Sequence, residues 1–319
     1  MAKILVTGGA GFIGSNLTEA LLKRGDTVRV LDNFSTGRKE NLEFPQLAKA
    51  EILRLEIMEA DMTDRQACRN AVHGIDYVLH EAAIPSVPRS VAQPIESNDA
   101  NINGTLNLLV EARDAGAKRI VFASSSSVYG DTPTLPKVET MTPAPLSPYA
   151  VQKIAVEHYF RIFYELYGIE TVCLRYFNVF GPRQDPNSEY SAVIPKFIKA
   201  LLSGKQPVIF GDGEQSRDFT HIDNVVYGNL LALEAPNAKG RAMNLACGGR
   251  LTLNELLGIL KKIIGSDIDP IYSDPRQGDV KHSHADITLS EDLLAYKMQT
   301  DTEDGLARTV EYFRGVFGY

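Results

Sequence analysis

Cysteine is scarce in this chain, and the three present (Cys68, Cys173 and Cys247) are widely spaced among apolar residues. An odd, scattered set argues against a disulfide framework or a thiolate metal site. It reads as small core residues in a reducing compartment, so the cytoplasm is the expected location. Positive charge is also in deficit. With 33 Lys and Arg against 40 Asp and Glu, a formal net charge of −7, general affinity for nucleic acid is not expected. No apolar run is long enough to cross a bilayer, and residues 1–8 turn to glycine too soon for a secretion signal. Neither membrane association nor export is expected. The six histidines suggest no metal site, since His221 and His282 sit among binding loops with no paired partner at ligand spacing. Repeats and low-complexity tracts are missing. What remains is a 319-residue chain of ordinary apolar content, long enough for one large domain or two closely joined ones.

The first half alternates short β-branched runs with helical patterns. Residues 3–6, 27–31, 77–80, 119–123 and 170–174 read as buried parallel strands, and 14–24, 101–115 and 148–167 as helices. That alternation predicts an α/β fold, a doubly wound parallel sheet of Rossmann type. After about residue 175 loops lengthen and shorter helices are expected at 192–203, 253–264 and 303–317. A smaller α/β substrate-binding domain should pack directly on the first and leave a cleft. We assign 1–174 to the dinucleotide-binding part and 175–319 mainly to the substrate part. Residues 223–233 and the strand 242–245 are expected to return to the sheet, making the boundary discontinuous.

Thr7-Gly8-Gly9-Ala10-Gly11-Phe12-Ile13-Gly14 sits between the first strand and the first helix. Gly8, Gly11 and Gly14 allow a tight turn, close approach of a pyrophosphate and close helix–strand packing. Asp32 ends the second strand, eighteen residues past Gly14, where a carboxylate accepts from ribose hydroxyls and repels a 2′-phosphate. NAD is therefore expected over NADP, with Arg38 near enough to blur the preference. Asp61-Met62 follows a strand-like 57–60 and is placed to hold the adenine edge. His80-Glu81-Ala82-Ala83 ends another strand with small residues past which a cofactor can run.

Tyr149 and Lys153 lie four apart in a helix that Pro148 can start, so they share a face. A nearby cation favours the ionised phenol, and a phenolate can accept the proton of an alcohol. The serine run Ser124-Ser125-Ser126-Ser127 lies upstream.

Together with Val128-Tyr129-Gly130, Arg175-Tyr176-Phe177-Asn178 and Arg276-Gln277-Gly278-Asp279, these segments resemble an extended short-chain dehydrogenase/reductase, more narrowly a nucleotide-sugar 4-epimerase. The resemblance runs nearly end to end. It implies Tyr149 as acid/base, Lys153 as partner of the nicotinamide ribose that lowers the tyrosine pKa, and Ser125 as the assisting hydroxyl, with Ser124 and Ser126 as neighbours able to share that task. It implies cofactor contacts at Gly8, Gly11, Phe12, Ile13, Gly14, Asp32, Asn33, Asp61, Met62, Ala82, Ala83 and Asn101, besides Tyr149 and Lys153. The implied reaction removes the proton of the sugar 4-hydroxyl and the hydride of C4, turns the 4-keto sugar over, and returns both to the other face. The dehydratase branch carries an Asp-Glu pair where this chain has Ser126-Ser127, and serine is a poor substitute for a carboxylate base. A UDP-glucuronate epimerase or decarboxylase and a non-catalytic NAD-binding module are the remaining alternatives.

On the same resemblance the UDP-sugar meets Ser86, Ser125, Ser126, Tyr149, Asn178, Gln184, Val193, Ile209, Phe210, Arg217, Arg276, Asp279 and Ser283. Arginine forks suit the diphosphate, and Phe210 gives the uracil an apolar wall. Position 283 corresponds to the family's gate beside the sugar 2-substituent, where a tyrosine restricts the pocket and a small residue admits an N-acetyl group. Ser283 implies UDP-GlcNAc and UDP-GalNAc as substrates, along with UDP-glucose and UDP-galactose; Pro85, where glycine is frequent, narrows the pocket. UDP rather than dTDP rests on the resemblance alone. A homodimer is implied as well, with the broad apolar faces of the helices from Asn101 and Pro148 as local support.

Overall fold

The computed structural model describes residues 1–186, 193–275 and 280–319. A seven-stranded sheet organises the chain: β1 (Lys3–Thr7), β2 (Thr27–Asp32), β3 (Leu55–Glu59), β4 (Tyr77–His80), β5 (Arg119–Ser125), β6 (Glu170–Tyr176) and a last strand, Arg241–Leu245. The spatial order is the last strand, then β6, β5, β4, β1, β2 and β3, with every pairing parallel. This is a Rossmann-type doubly wound sheet. The chain leaves β1 for β2 on one side and returns to β4 on the other, so the switch point falls between β1 and β4, where such sheets bind ligands.

Both faces are covered. Leu17 and Leu21 of helix Phe12–Arg24 and Val225 of helix Ile222–Ala232 pack on one face. Leu108 of Gly104–Asp114 and Val156 and Phe160 of Pro148–Tyr167 fill the other, with Cys68 of helix Arg65–Val72. That double burial is why the central strands are continuous apolar runs. β3 differs. As an edge strand it exposes Glu56, Ile57 and Glu59, so its sequence carries only the weak signal at 57–60.

The Tyr–Lys helix begins and ends as its punctuation demands. Ser147 caps it, accepting from Ala150 N at 3.2 Å, Pro148 takes the first turn, and Gly168 closes it at φ +72°. Beyond β6, helices Val193–Leu202, Leu253–Ile264 and Thr302–Phe317 share an apolar cluster through Phe197, Leu257 and Phe313. Short pairings link the same region: Val208–Phe210 with Ile271–Ser273, and Ser216–Arg217 with Leu251–Thr252. Ala192, the expected start of the first of these helices, and Asn187 lie outside the described residues. Among the described residues no helix is long and apolar enough to cross a membrane.

Candidate active site

A cleft of about 1450 Å³ opens where β1, β2 and β4 end. Gly8 turns the chain at φ +68°, and a Cβ there would sit 2.7 Å from Ala82 N; a Cβ at Gly14 would overlap the Gly8 carbonyl. These glycines therefore let the turn, the first helix and the Ala82 backbone meet. Gly11 caps the helix with no side-chain hydrogen bond, so the first-turn N–H groups face the cleft as an anion site. Asp32 holds the other end. Its Oδ2 accepts from Ala10 N at 2.9 Å and its Oδ1 from Phe34 N at 2.8 Å, while burial pushes its pKa up against those bonds.

The wall carries Gly8, Gly11, Phe12, Ile13, Gly14, Asp32, Asn33, Asp61, Met62, Ala82 and Ala83. Asn33 Nδ2 donates to Asp61 at 2.6 Å, tying the segment after β2 to the segment after β3. Asn101 departs from its expected place. It is buried off the wall, with its Oδ1 accepting from Ile84 N at 2.7 Å and its Nδ2 donating to Gln152 Oε1 at 2.8 Å. Its amide holds the loop after β4. Arg38 is paired with Asp185 at 2.7 Å across the cleft, which engages the guanidinium that would otherwise meet a 2′-phosphate. The residues present thus fit a dinucleotide whose adenosine ribose carries hydroxyls.

The Tyr149, Lys153 and Ser125 cluster stands over the ends of β4, β5 and β6. Tyr149 N–H, left over at the helix start, donates to Ser90 Oγ at 3.1 Å, and the Ser125 hydroxyl lies where it favours the phenolate. Lys153 is buried, donates to Ala123 O at 2.6 Å, and has its ammonium 5.6 Å from the Tyr149 ring centroid. The expected lowering of the Tyr149 pKa by Lys153 is not met by the protein's own groups. Burial pushes the phenol up to about 12; the Ser125 bond opposes this and the Glu81 carboxylate adds to it. Burial also brings Lys153 down to about 8, against the charge of Glu81. Desolvation is the largest influence on both groups.

Ser124 is not an equivalent of Ser125. Its hydroxyl donates to Glu157, which also takes both arms of Arg175, Nε at 2.9 Å and Nη2 at 2.7 Å. Arg175 Nη1 donates to the Tyr129 hydroxyl, which in turn donates to Asn244. This buried network joins the Tyr–Lys helix to β5, β6 and the last strand. Arg175 stood in the sequence as part of a motif, but nothing in the local pattern pointed to Glu157 as its partner. Glu81 was equally hidden among the small residues after β4.

Ser86 caps the short helix Val87–Ala92 and lies on the cleft wall beside Pro85. Ser126 follows Ser125 directly, half-buried. Asn178 donates to Asp218 O at 3.3 Å, and Gln184 donates to Val179 O at 3.1 Å. Val193 opens its helix; Ile209 is buried and Phe210 half-buried in one short strand. Arg217 Nη1 donates to Ser216 O and Lys281 O. Half-buried Ser283 donates its N–H to Ser216 O at 2.9 Å, in the same corner as Arg217. Arg276 and Asp279 lie outside the described residues.

The NAD dependent epimerase/dehydratase family model matches residues 4–246. A putative UDP-glucose 4-epimerase of Methanocaldococcus jannaschii is 39% identical over 312 residues, 98% of either chain. Among solved structures, a UDP-N-acetylglucosamine 4-epimerase of Methanobrevibacter ruminantium, in complex with UDP-N-acetylmuramic acid, superposes with a TM-score of 0.93 at 43% identity over 99% of both chains. A Thermotoga maritima UDP-glucose 4-epimerase with UDP-glucose gives 0.93 at 38% identity, again over 99% of both. This chain belongs to the NAD-dependent epimerase/dehydratase family, within the extended short-chain dehydrogenase/reductases, and is an NAD-dependent enzyme like the UDP-sugar 4-epimerases it resembles.

Proposed function

We propose that this NAD-dependent enzyme inverts C4 of UDP-N-acetylglucosamine and UDP-N-acetylgalactosamine, and acts also on UDP-glucose and UDP-galactose. One observation carries the N-acetyl preference. The half-buried position after His282, hydrogen-bonded to Ser216 O, is a serine, a small residue at the position that by the resemblance corresponds to the family's gate beside the sugar's 2-substituent. The 43% identity to a UDP-N-acetylglucosamine 4-epimerase supports the same reading.

In this account Tyr149 holds the proton exchanged with the sugar 4-hydroxyl, through its hydrogen bond to Ser125 or directly. Lys153, fixed to Ala123 O, holds a positive charge on the Tyr149 face of the helix. Bound NAD supplies the hydride acceptor and donor and one further positive charge near the phenol. The Asp-Glu pair that a dehydratase carries is replaced by Ser126 and Ser127, so the proton returns from Tyr149. We take residues 1–174 with about 223–245 as the cofactor part and the remainder as mainly the substrate part, acting in the cytoplasm as a homodimer. Exposed Val151, Ile162 and Leu166 on the Tyr–Lys helix give the dimer an apolar face.

The test is a Ser283→Tyr variant assayed on both sugar types. It is expected to lose turnover of UDP-N-acetylglucosamine by about tenfold or more while keeping that of UDP-glucose. Equal loss on both, or a wild type that prefers the unsubstituted sugar, would remove the claimed preference.

A further inference from the structure

β4 ends at His80, and the next residue carries a carboxylate into the reaction centre, a charge that the Tyr149, Lys153 and Ser125 set does not use. Glu81 is held at both ends. Its N–H donates to Thr7 O at 3.2 Å, and its Oε1 accepts from the Tyr176 hydroxyl at 2.9 Å. The Tyr176 oxygen in turn accepts from Asn229 Nδ2 at 2.7 Å. Tyr176 pairs with Ser125 in the β5–β6 register, so the carboxylate stands at the ends of three adjacent strands, beneath the Tyr–Lys helix and on the cleft wall.

His80 pairs with Phe122, so Glu81 lies alongside Ala123, whose carbonyl holds the Lys153 ammonium. Among the described residues the Glu81 charge acts on Tyr149 and Lys153 of the helix and its oxygen meets Tyr176 of β6, while its neighbour His80 is buried between Thr7 and Thr105 and kept neutral by that burial. An anion in this position favours the charged form of Lys153 and disfavours the phenolate of Tyr149. The local charge is thus a set of three, not two.

We propose that Glu81 is a positioning residue of the reaction: held by Tyr176, its carboxylate sets the ionisation of the Tyr149–Lys153 pair. This rests on Tyr149 being the acid/base. Burial raises the Glu81 pKa to about 7, against the Tyr176 bond and the Lys153 charge. Its negative charge therefore appears across the neutral range and is absent in acid.

The two ways of removing that charge separate its roles. Glu81→Gln keeps an oxygen for the Tyr176 hydroxyl and loses only the charge. Glu81→Leu loses both and leaves a buried hydroxyl without its acceptor. The experiment is the pH profile of kcat/KM for 4-epimerisation of UDP-N-acetylglucosamine and of UDP-glucose, with bound NAD quantified for each variant and Tyr149→Phe as control. In Glu81→Gln the ratio of turnover at about pH 8, where the wild-type carboxylate is charged, to that at about pH 6, where it is as neutral as the amide, is expected to exceed the wild-type ratio by roughly threefold or more, with NAD content unchanged. Glu81→Leu is expected to lose activity and NAD together. A ratio in Glu81→Gln equal to the wild type's overturns the proposal while leaving Tyr149 in place. Residual turnover by Tyr149→Phe overturns the assignment on which it rests.

Discussion

Glu157→Leu is the perturbation whose size the structure fixes best. Glu157 accepts two hydrogen bonds from Arg175 and one from Ser124, and both ionic partners are nearly inaccessible, at 6% and 4% exposure. Leucine would leave the guanidinium buried with Nε and Nη2 unpaired and only Tyr129 still bonded to it. Breaking one side of such a pair costs about 3–5 kcal/mol. With a urea m-value of roughly 3 kcal/mol/M for a chain of this size, the unfolding midpoint should fall by about 1 M or more. The compensating double variant, Glu157→Leu with Arg175→Met, removes the charge pair together and should recover much of the loss. The assay is equilibrium urea unfolding followed by circular dichroism, with NAD content matched among the variants because bound cofactor stabilises the folded state. A single-variant shift below about 0.3 M, or a double variant as unstable as the sum of the two singles, would refute a coupled buried pair.

Two other outcomes follow from the cofactor side. Asp185→Asn releases Arg38 from a pair that is roughly half exposed, so stability should change by about 1 kcal/mol or less while NADP+ binding improves relative to NAD+; titration of both cofactors into the apo variant checks this, and an unchanged ratio would mean Asp32 alone discriminates. His80 is pushed down to about 3 by burial and the charge of Lys153, so the native state stays neutral while the unfolded state takes up a proton below about 6.5. Stability from this group is complete above that pH and is lost as pH falls toward 3. Unfolding midpoints at pH 7.5 and 5.5 should therefore differ less in His80→Gln than in the wild type, and parallel declines would place the titration elsewhere.

The sequence spoke most clearly where burial is complete on both sides. β1, β2, β4, β5 and β6 are continuous apolar runs because helices cover both faces of the sheet. Helices 148–167 and 253–264 have their ends marked by a Ser or Thr cap and a closing glycine, and the structure places them over those spans. β3 and helix Arg65–Val72 were weakly marked or unmarked, since one is a charged edge strand and the other buries only Ala67, Cys68, Ala71 and Val72. At the site, the glycine turn and Asp32 were legible because backbone geometry demands particular residues there. Three features were not. Asn101 turned inward to Ile84 and Gln152, and Glu157 found Arg175 eighteen residues away. Glu81 met Tyr176 across 95 residues. Such pairings depend on tertiary placement of polar groups, which no local period encodes. The phenol's raised pKa belongs to the same class, because it follows from desolvation and not from the four-residue spacing of Tyr149 and Lys153.

The most direct test of the central claim is to incubate the purified protein, with no cofactor added beyond what it retains, with UDP-N-acetylglucosamine and to follow the anomeric proton signals by NMR. The UDP-N-acetylgalactosamine signal is expected to grow to a constant ratio, approached from either sugar. Silence with both sugars, while UDP-glucuronate gives an epimer or a decarboxylated product, would contradict it.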